Sequence, residues 1–400
     1  MSIRIISPLI ILFILVVFNI ISCSEDMPIQ DINLADPSDR GSIENISINT
    51  IDLEVSFSDT VAATGSSEIL SLGSYTDIET KILLRFENLP NNILATSAAI
   101  VLNTRAIIGE SMQPFTATIH QITADWDELS VTDEIFQNSF NIDSLGSAEI
   151  FPTVNDTSGI DTLNIGSVRI EFDNPQLVND WMDSTSMVAN YGVLLDFLNS
   201  NFIKEFFSKD NITNQPMLEI QYLSDSTDTD TTYVTATADA YLVRSLMEPP
   251  SGPLYVDNIF SRQSVIKFDL SKSKIPREST INRAILDLNI QAEHSILKDD
   301  RFTIQLIRLA EPFVPPNSFK LDSLFFVINT AFDLSNSFLE IPITGMVQNW
   351  ITQDVNNNGF IIRTGTPGRD VSRVAFFSAG IDSSLAPKVE VDYTVAPPIP

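Results

Sequence analysis

The sequence predicts an all-β protein built from two tandem antiparallel jelly-roll β-sandwiches behind a leader and a tether. Three observations carry that expectation. The first is an internal repeat: Val178-Asn179-Asp180-Trp181, Gly192-Val193-Leu194-Leu195, Phe206-Phe207-Ser208 and a closing Pro216–Tyr222 recur as Val347-Gln348-Asn349-Trp350, Gly359-Phe360-Ile361-Ile362, Phe376-Phe377-Ser378 and Pro387–Tyr393, about 170 residues on. Repetition of this kind means two copies of one unit. The second is strict alternation of apolar and polar residues in short runs, the pattern of sheets with one buried face. The third is the scarcity of helical periodicity in a chain whose 21 prolines and 25 phenylalanines punctuate short runs.

The elements follow in order. Residues 1–22 hold one basic residue, Arg4, then an apolar run from Pro8 to Phe18 that is too short to span a bilayer comfortably and reads as a signal-peptide core. It ends at Ile20-Ile21-Ser22-Cys23, and Cys23 is the only cysteine of the chain. This resembles a bacterial lipoprotein signal, which implies lipid on the Cys23 thiol and cleavage in front of it. An unpaired thiol in an exported chain fits that reading, and multiple acyl chains anchor stably at about 0.8 kcal/mol per buried methylene. Ser24-Glu25-Asp26 resembles the acidic export tag that sends Bacteroidota lipoproteins to the outer face of the outer membrane. The polar remainder of 23–45, with Pro28, Pro37 and Gly41, reads as a tether.

The first sandwich is expected over 46–223 and the second over 233–400. Asp59-Thr60-Val61 and Asp239-Ala240-Tyr241-Leu242 are taken as equivalent openings. Ile82, Leu84 and Phe86 share a strand face, as do Ser264, Ile266 and Phe268; Ala98-x-Ile100-x-Leu102 matches Ala284-x-Leu286-x-Leu288. Asn174-Pro175 followed by Leu177 and Trp181, and Thr344 with Met346 and Trp350, predict one short helix per copy that lays its tryptophan in the core. Between the copies, residues 224–232 (Ser-Asp-Ser-Thr-Asp-Thr-Asp-Thr-Thr) carry no apolar side chain and read as a linker.

A formal charge of −29, from 52 acidic against 23 basic residues, excludes a nucleic-acid partner, since phosphate binding needs clustered Lys and Arg. No catalytic motif is present: there is no Gly-x-Ser-x-Gly elbow, no His-Glu-x-x-His and no phosphate loop, and the one cysteine is assigned to lipid. His120 and His294 occupy unmatched positions, and His120 is expected on the solvent side of its strand. The protein is therefore read as non-catalytic, with no cofactor except that Asp354, Asn356 and Asn358, before Gly359, match the first half of a calcium loop whose closing glutamate is missing. The same stretch also reads as an ordinary Asn-rich turn. For sugar binding the candidates are Trp126 with Asp125 and Glu128, Tyr191 and Tyr255, because aromatic faces stack on sugar rings while carboxylates take hydroxyls. Trp126 reads equally as the closing residue of a sandwich edge. Asp-Ser/Thr steps at Asp59, Asp143, Asp161 and Asp322 resemble Bacteroidota O-glycosylation acceptors.

The order of motifs, Leu84-Arg85-Phe86, Ala98-x-Ile100-x-Leu102, the tryptophan, Phe-Phe-Ser and the terminal Pro-x-x-x-x-x-Tyr, resembles the DNRLRE-domain proteins, which overlap carbohydrate-binding module family 96. The match covers nearly the whole mature chain twice and is better in the second copy, at Val265-Ile266-Lys267-Phe268-Asp269-Leu270; the signature that names the family is absent. The resemblance implies a jelly-roll sandwich and a cell-surface or accessory role, with alginate bound by some members. The expected protein is a surface lipoprotein of the outer membrane that binds polysaccharide or adheres. A structural protein contacting other surface proteins is the alternative, and a polysaccharide-degrading enzyme is the weaker one.

Overall fold

The computed structural model describes residues 41–395 except 59–60, 92, 110–112, 153–165, 224–227, 249, 273–274, 298–301, 317 and 330–336. The leader, Cys23, Ser24, Glu25 and Asp26 lie outside the described residues, as do the Asp59 and Asp161 steps. Among the described residues no helix is long and apolar enough to cross a membrane.

The architecture is all-β and antiparallel, as expected. The chain opens with a hairpin, β1 (Ser42–Ile48) and β2 (Ile51–Ser58). The first body follows: β3 (Ile69–Tyr75), β4 (Ile78–Arg85), β5 (Ala95–Ile108), β6 (Phe115–Gln121), α1 (Asp133–Phe136), β7 (Gly146–Ile150), β8 (Ser167–Glu171), α2 (Gln176–Met182), β9 (Val193–Leu198), β10 (Ile203–Phe207) and β11 (Met217–Leu223). A second hairpin, β12 (Thr229–Thr235) and β13 (Ala238–Ser245), leads to the second body: β14 (Leu254–Asp257), β15 (Arg262–Phe268), β16 (Thr280–Asn289), β17 (Ile304–Leu309), β18 (Leu321–Asn329), β19 (Phe338–Pro342), α3 (Thr344–Ile351), β20 (Phe360–Thr364), β21 (Arg373–Phe376) and β22 (Lys388–Val395).

The second body has a four-stranded sheet ordered β1-β22-β16-β19 and a five-stranded sheet ordered β18-β17-β20-β15-β2, with β14-β21 as a separate pair. The first body repeats this, strand for strand, as β12-β11-β5-β8, β7-β6-β9-β4-β13 and β3-β10, except that β3 also bonds β4 and β10 also bonds β5, joining all eleven strands.

Two expectations about organisation are corrected here. Residues 46–58 do not open the first sandwich: β1 pairs β22 and β2 pairs β15, so the N-terminal hairpin completes the second. Residues 229–245 do not open the second: β12 pairs β11 and β13 pairs β4. Each copy's leading hairpin is thus docked on the other copy. The registers coincide, because Glu54 faces Ile266 while Asp239 faces Leu84, the residue equivalent to Ile266. The segment expected as a linker ends inside β12. Its threonines suit an extended chain, and the ladder to β11 supplies the stability that apolar side chains do not.

Equivalent side chains hold equivalent corners. Asn190 donates from Nδ2 to Phe86 O (2.7 Å) and accepts from Gly192 N (3.1 Å); Asn357 does the same with Phe268 O (2.8 Å) and Gly359 N (3.1 Å). Gly192 and Gly359 sit at φ of +87° and +84°, and a Cβ there would lie 2.0 Å from Leu84 O or 2.5 Å from Ile266 O, so only glycine fits. On the short helices, Asn179 bonds both the N–H and C=O of Ala95, and Gln348 takes Ile281 N and gives to Ser279 O. Trp350 is buried and Trp181 packs against its core, as the sequence indicates.

The bodies meet where the chain crosses between them, at 61–68 and at 246–248 and 250–253. Thr64 Oγ1 donates to Tyr241 O (2.6 Å) and accepts from Tyr241 N (2.9 Å). Ser67 Oγ donates to Arg369 O (2.6 Å), and both guanidinium Nη atoms of Arg373 donate to Asp77 at 2.7 and 2.8 Å in a buried, bidentate pair. Burial works against the Asp77 charge, but Arg373 more than offsets it and holds the carboxyl below its usual range. Ile259, Ile296 and Val371 of the second body pack into the first body's core.

Candidate functional site

Trp126, Asp125 and Tyr191 lie together on the first sandwich, whereas Tyr255 is in the second. Trp126 is 8% exposed and belongs to an apolar cluster on the outer face of the five-stranded sheet of the first sandwich, with Leu83, Leu194, Ala240 and Leu242. Its indole donates to Tyr191 O (2.9 Å), and Arg85 lies over its ring at 5.0 Å while bonding Asp125 (2.6 Å). The repeat explains this position: Phe313 closes the equivalent cluster of Val265, Ile307, Leu309 and Ile361 in the second sandwich. Trp126 packs as a closing residue of this cluster and presents no open platform. Tyr191 is a half-buried neighbour in the same cluster. His120 is also buried, with Nδ1 3.1 Å from Asn141 O and Nε2 2.9 Å from Thr118 Oγ1, correcting its solvent-side placement; Phe140 covers it edge-on.

Glu128 works at a corner. The residue after Phe206-Phe207-Ser208 is Lys209, whose backbone N donates to Asp239 Oδ2 (2.6 Å). Glu128 Oε1 accepts from Asp239 N (3.1 Å) and pairs with Lys209 Nζ (3.1 Å), which also reaches Asp210 (3.2 Å). Asp239 is 1% exposed and its Oδ1 has no hydrogen-bond partner; burial, with Glu128 and Asp210 nearby and only Lys209 opposing, pushes its carboxyl up to about 7.

In the second sandwich the residue after Phe376-Phe377-Ser378 is Ala379, whose N donates to Glu54 Oε2 (2.9 Å), the same contact from the other hairpin. The rest of the corner differs. Ala379 stands for Lys209, Gly380 for Asp210, and Pro315, two residues after Phe313 as Glu128 is two after Trp126, stands for Glu128. Beside Glu54 there is a cleft of about 620 Å³ lined by residues 54–58, 248, 250–255, 378, 380 and 381 and by Arg262. Glu54 Oε1 has no hydrogen-bond partner, and burial raises the carboxyl against the Ala379 amide that lowers it. Arg262 is bound to Asp257 (2.9 Å), both side chains nearly fully buried, and lies 4.0 Å from the exposed Glu248. Tyr255, the one sugar candidate in this cleft, is 4% exposed; its hydroxyl donates to Pro250 O (3.2 Å), so its ring braces the wall and is not open for stacking.

Asp354, Asn356 and Asn358 lie at another end of this sandwich. Asp354 accepts from Thr352 Oγ1 (2.7 Å) and Asn358 Nδ2 donates to Ala310 O (2.9 Å), while Asn357 makes the turn shared with Asn190. Among the described residues no three His, Cys, Asp or Glu side chains cluster to hold a metal.

Glu54, Glu248 and Arg262 were not singled out from the sequence. The available signal was the repeat itself, which matches Glu54 with Asp239 once β2 and β13 are in register.

No family model matches the chain, and no curated protein does. Among solved structures, infectious bursal disease virus, Gx strain, aligns over 89% of this chain and 76% of its own at 10% identity with a TM-score of 0.12. The VP2 subviral particle of infectious bursal disease virus aligns over 89% and 77% at 10% identity with a TM-score of 0.10. Scores this low carry no argument.

Proposed function

We propose that this chain is a non-catalytic lipoprotein of the outer membrane surface whose second sandwich binds carbohydrate in the cleft beside Glu54. The observation that supports the reading is that cleft. Its lining carries the exposed Glu248 carboxylate and the exposed Ser58 and Ser251, groups that can take sugar hydroxyls. The net acidity and the resemblance of Cys23 and its neighbours to an export signal favour the same setting. Glu54 and Glu248 in one cleft also raise glycoside hydrolysis. Against it, Asp239 and Glu54 each accept a backbone N–H at the matched corner, so the hairpin acid has a structural duty in both copies.

The test is a glycan array screened with residues 24–400, alongside Ser58→Trp, which places an indole at the exposed rim. Binding that Ser58→Trp abolishes supports the reading. A blank array, or binding indifferent to Ser58→Trp, sinks the cleft as the site, and capture of an outer-membrane protein with no glycan bound would point to the structural alternative.

A further inference from the structure

We propose that two copies of this chain form a dimer by trading halves, residues 42–245 of each copy closing on residues 254–395 of the other. Topology carries the inference. The first half holds the first sandwich and also the hairpin that completes the second sandwich. One covalent crossing, 246–253, joins the halves. It is open to solvent at Leu246 and Met247, which are 48% and 66% exposed, and at Ser251 and Gly252.

Every other link between the halves is non-covalent. β1 pairs with β22 and β2 with β15, Glu54 accepts from Ala379 N (2.9 Å), and Asn45 Nδ2 donates to Asp392 (2.6 Å). Ile46, Ile48 and Ile51 of the hairpin join one apolar cluster of the second body, and Leu53, Val55 and Phe57 join another. Arg373 clamps Asp77, and Ile259, Ile296 and Val371 enter the first body's core. A second copy presents the same surfaces, so trading halves remakes each of these contacts and changes only the path of the crossing. A short linker favours closure within one chain by an effective concentration in the millimolar range, and the dimer gains as the protein approaches it. The cleft beside Glu54 then becomes composite, with residues 54–58 from one copy and residues 378, 380 and 381 from the other. The pairing does not depend on what that cleft binds.

The experiment uses residues 24–400, which contain no cysteine. Asn45 and Asp392 are partners in the β1–β22 register with their side chains in contact, so Asn45→Cys with Asp392→Cys places two thiols to bridge. This variant is refolded from urea at about 20 μM and at about 0.5 mM, then oxidised. A bridge within one chain reports the closed monomer, bridges between chains report traded halves, and non-reducing electrophoresis separates them. The covalent dimer is expected to be about tenfold or more abundant at the higher concentration. Deleting Ser251-Gly252 shortens the crossing and should raise the dimer several-fold at either concentration. The unsubstituted chain, refolded alongside at about 0.5 mM, should give the same dimer by light scattering, and its absence there overturns the proposal. So does bridged monomer alone at both concentrations, or indifference to the deletion. A dimer yield no greater than that of Asn45→Cys paired with Ser184→Cys, an exposed site on the first body, overturns it too.

Discussion

Replacing Asp239 by asparagine should stabilise the protein, and only at neutral and alkaline pH. The side chain is 1% exposed, one oxygen receives Lys209 N at 2.6 Å, and the other has no partner. Burial moves the carboxyl from 3.8 to about 7. Below about pH 4 both folded and unfolded chains carry the proton, and the group contributes nothing to the slope. Between about 4 and 7 the folded chain keeps the proton that the unfolded chain has released, so stability falls with rising pH by about 1.4 kcal/mol per pH unit. Above 7 both are ionised and a penalty of about 4 kcal/mol has accumulated. Asparagine keeps the acceptor for Lys209 N without the charge. It should therefore match the wild type at pH 4.5 and exceed it by about 2–4 kcal/mol at pH 8, the lower bound allowing for the lost charge-assisted bond. Urea unfolding of both proteins from pH 4.5 to 8.5 measures this, and the difference between them removes the background repulsion of so acidic a chain. A variant no more stable than the wild type at pH 8, or a difference that does not vary with pH, would show that the corner holds the charge comfortably and refute the argument.

Two further outcomes follow from the fold. Truncating the chain to begin at residue 61 removes β1 and β2, which should leave the first sandwich folded and the second open; limited proteolysis should then yield a resistant fragment ending near residue 250, whereas a protected second sandwich would contradict the exchanged hairpin. Arg373→Ala strands Asp77 in the interface, should cost about 3–5 kcal/mol, and should weaken the loss of stability that the wild type shows on acidification through the depressed Asp77 range, as acid unfolding curves would report.

What the sequence made legible was local. Alternation located the strands around Leu84, Ala98, Ile266 and Ala284, and Asn174-Pro175 announced the helix whose Leu177 and Trp181 line the core. Those signals depend on neighbours two to four residues apart. The hairpin exchange depends instead on which of two near-identical docking sites residues 42–58 reach, and both offer the same register, so no local pattern distinguishes them. The choice lies in the crossing segments: Thr64 and Ser67 are polar residues that alternation ignores, yet their bonds to Tyr241 and Arg369 fix the path. Trp126 was ambiguous for a similar reason. A tryptophan among acids reads as exposed until Arg85 and Phe313 show, respectively, that a cation covers it and that its repeat mate is buried.

The exchange also explains why the cleft beside Glu54 falls in the second copy. Its walls come from β2, from residues 248 and 250–255 and from the turn after Phe-Phe-Ser, three segments far apart in sequence that meet because the N-terminal hairpin docks on the distal body. The first copy has the same hairpin, the same acid and the same turn, but Lys209, Asp210 and Glu128 occupy its corner. Relaxing those three positions to Ala379, Gly380 and Pro315 leaves the hairpin's backbone contact intact, since Ala379 N still reaches Glu54, while removing the ion pair that closes the corner. The two copies thus keep the hairpin contact but differ in whether an ion pair fills the corner beside it.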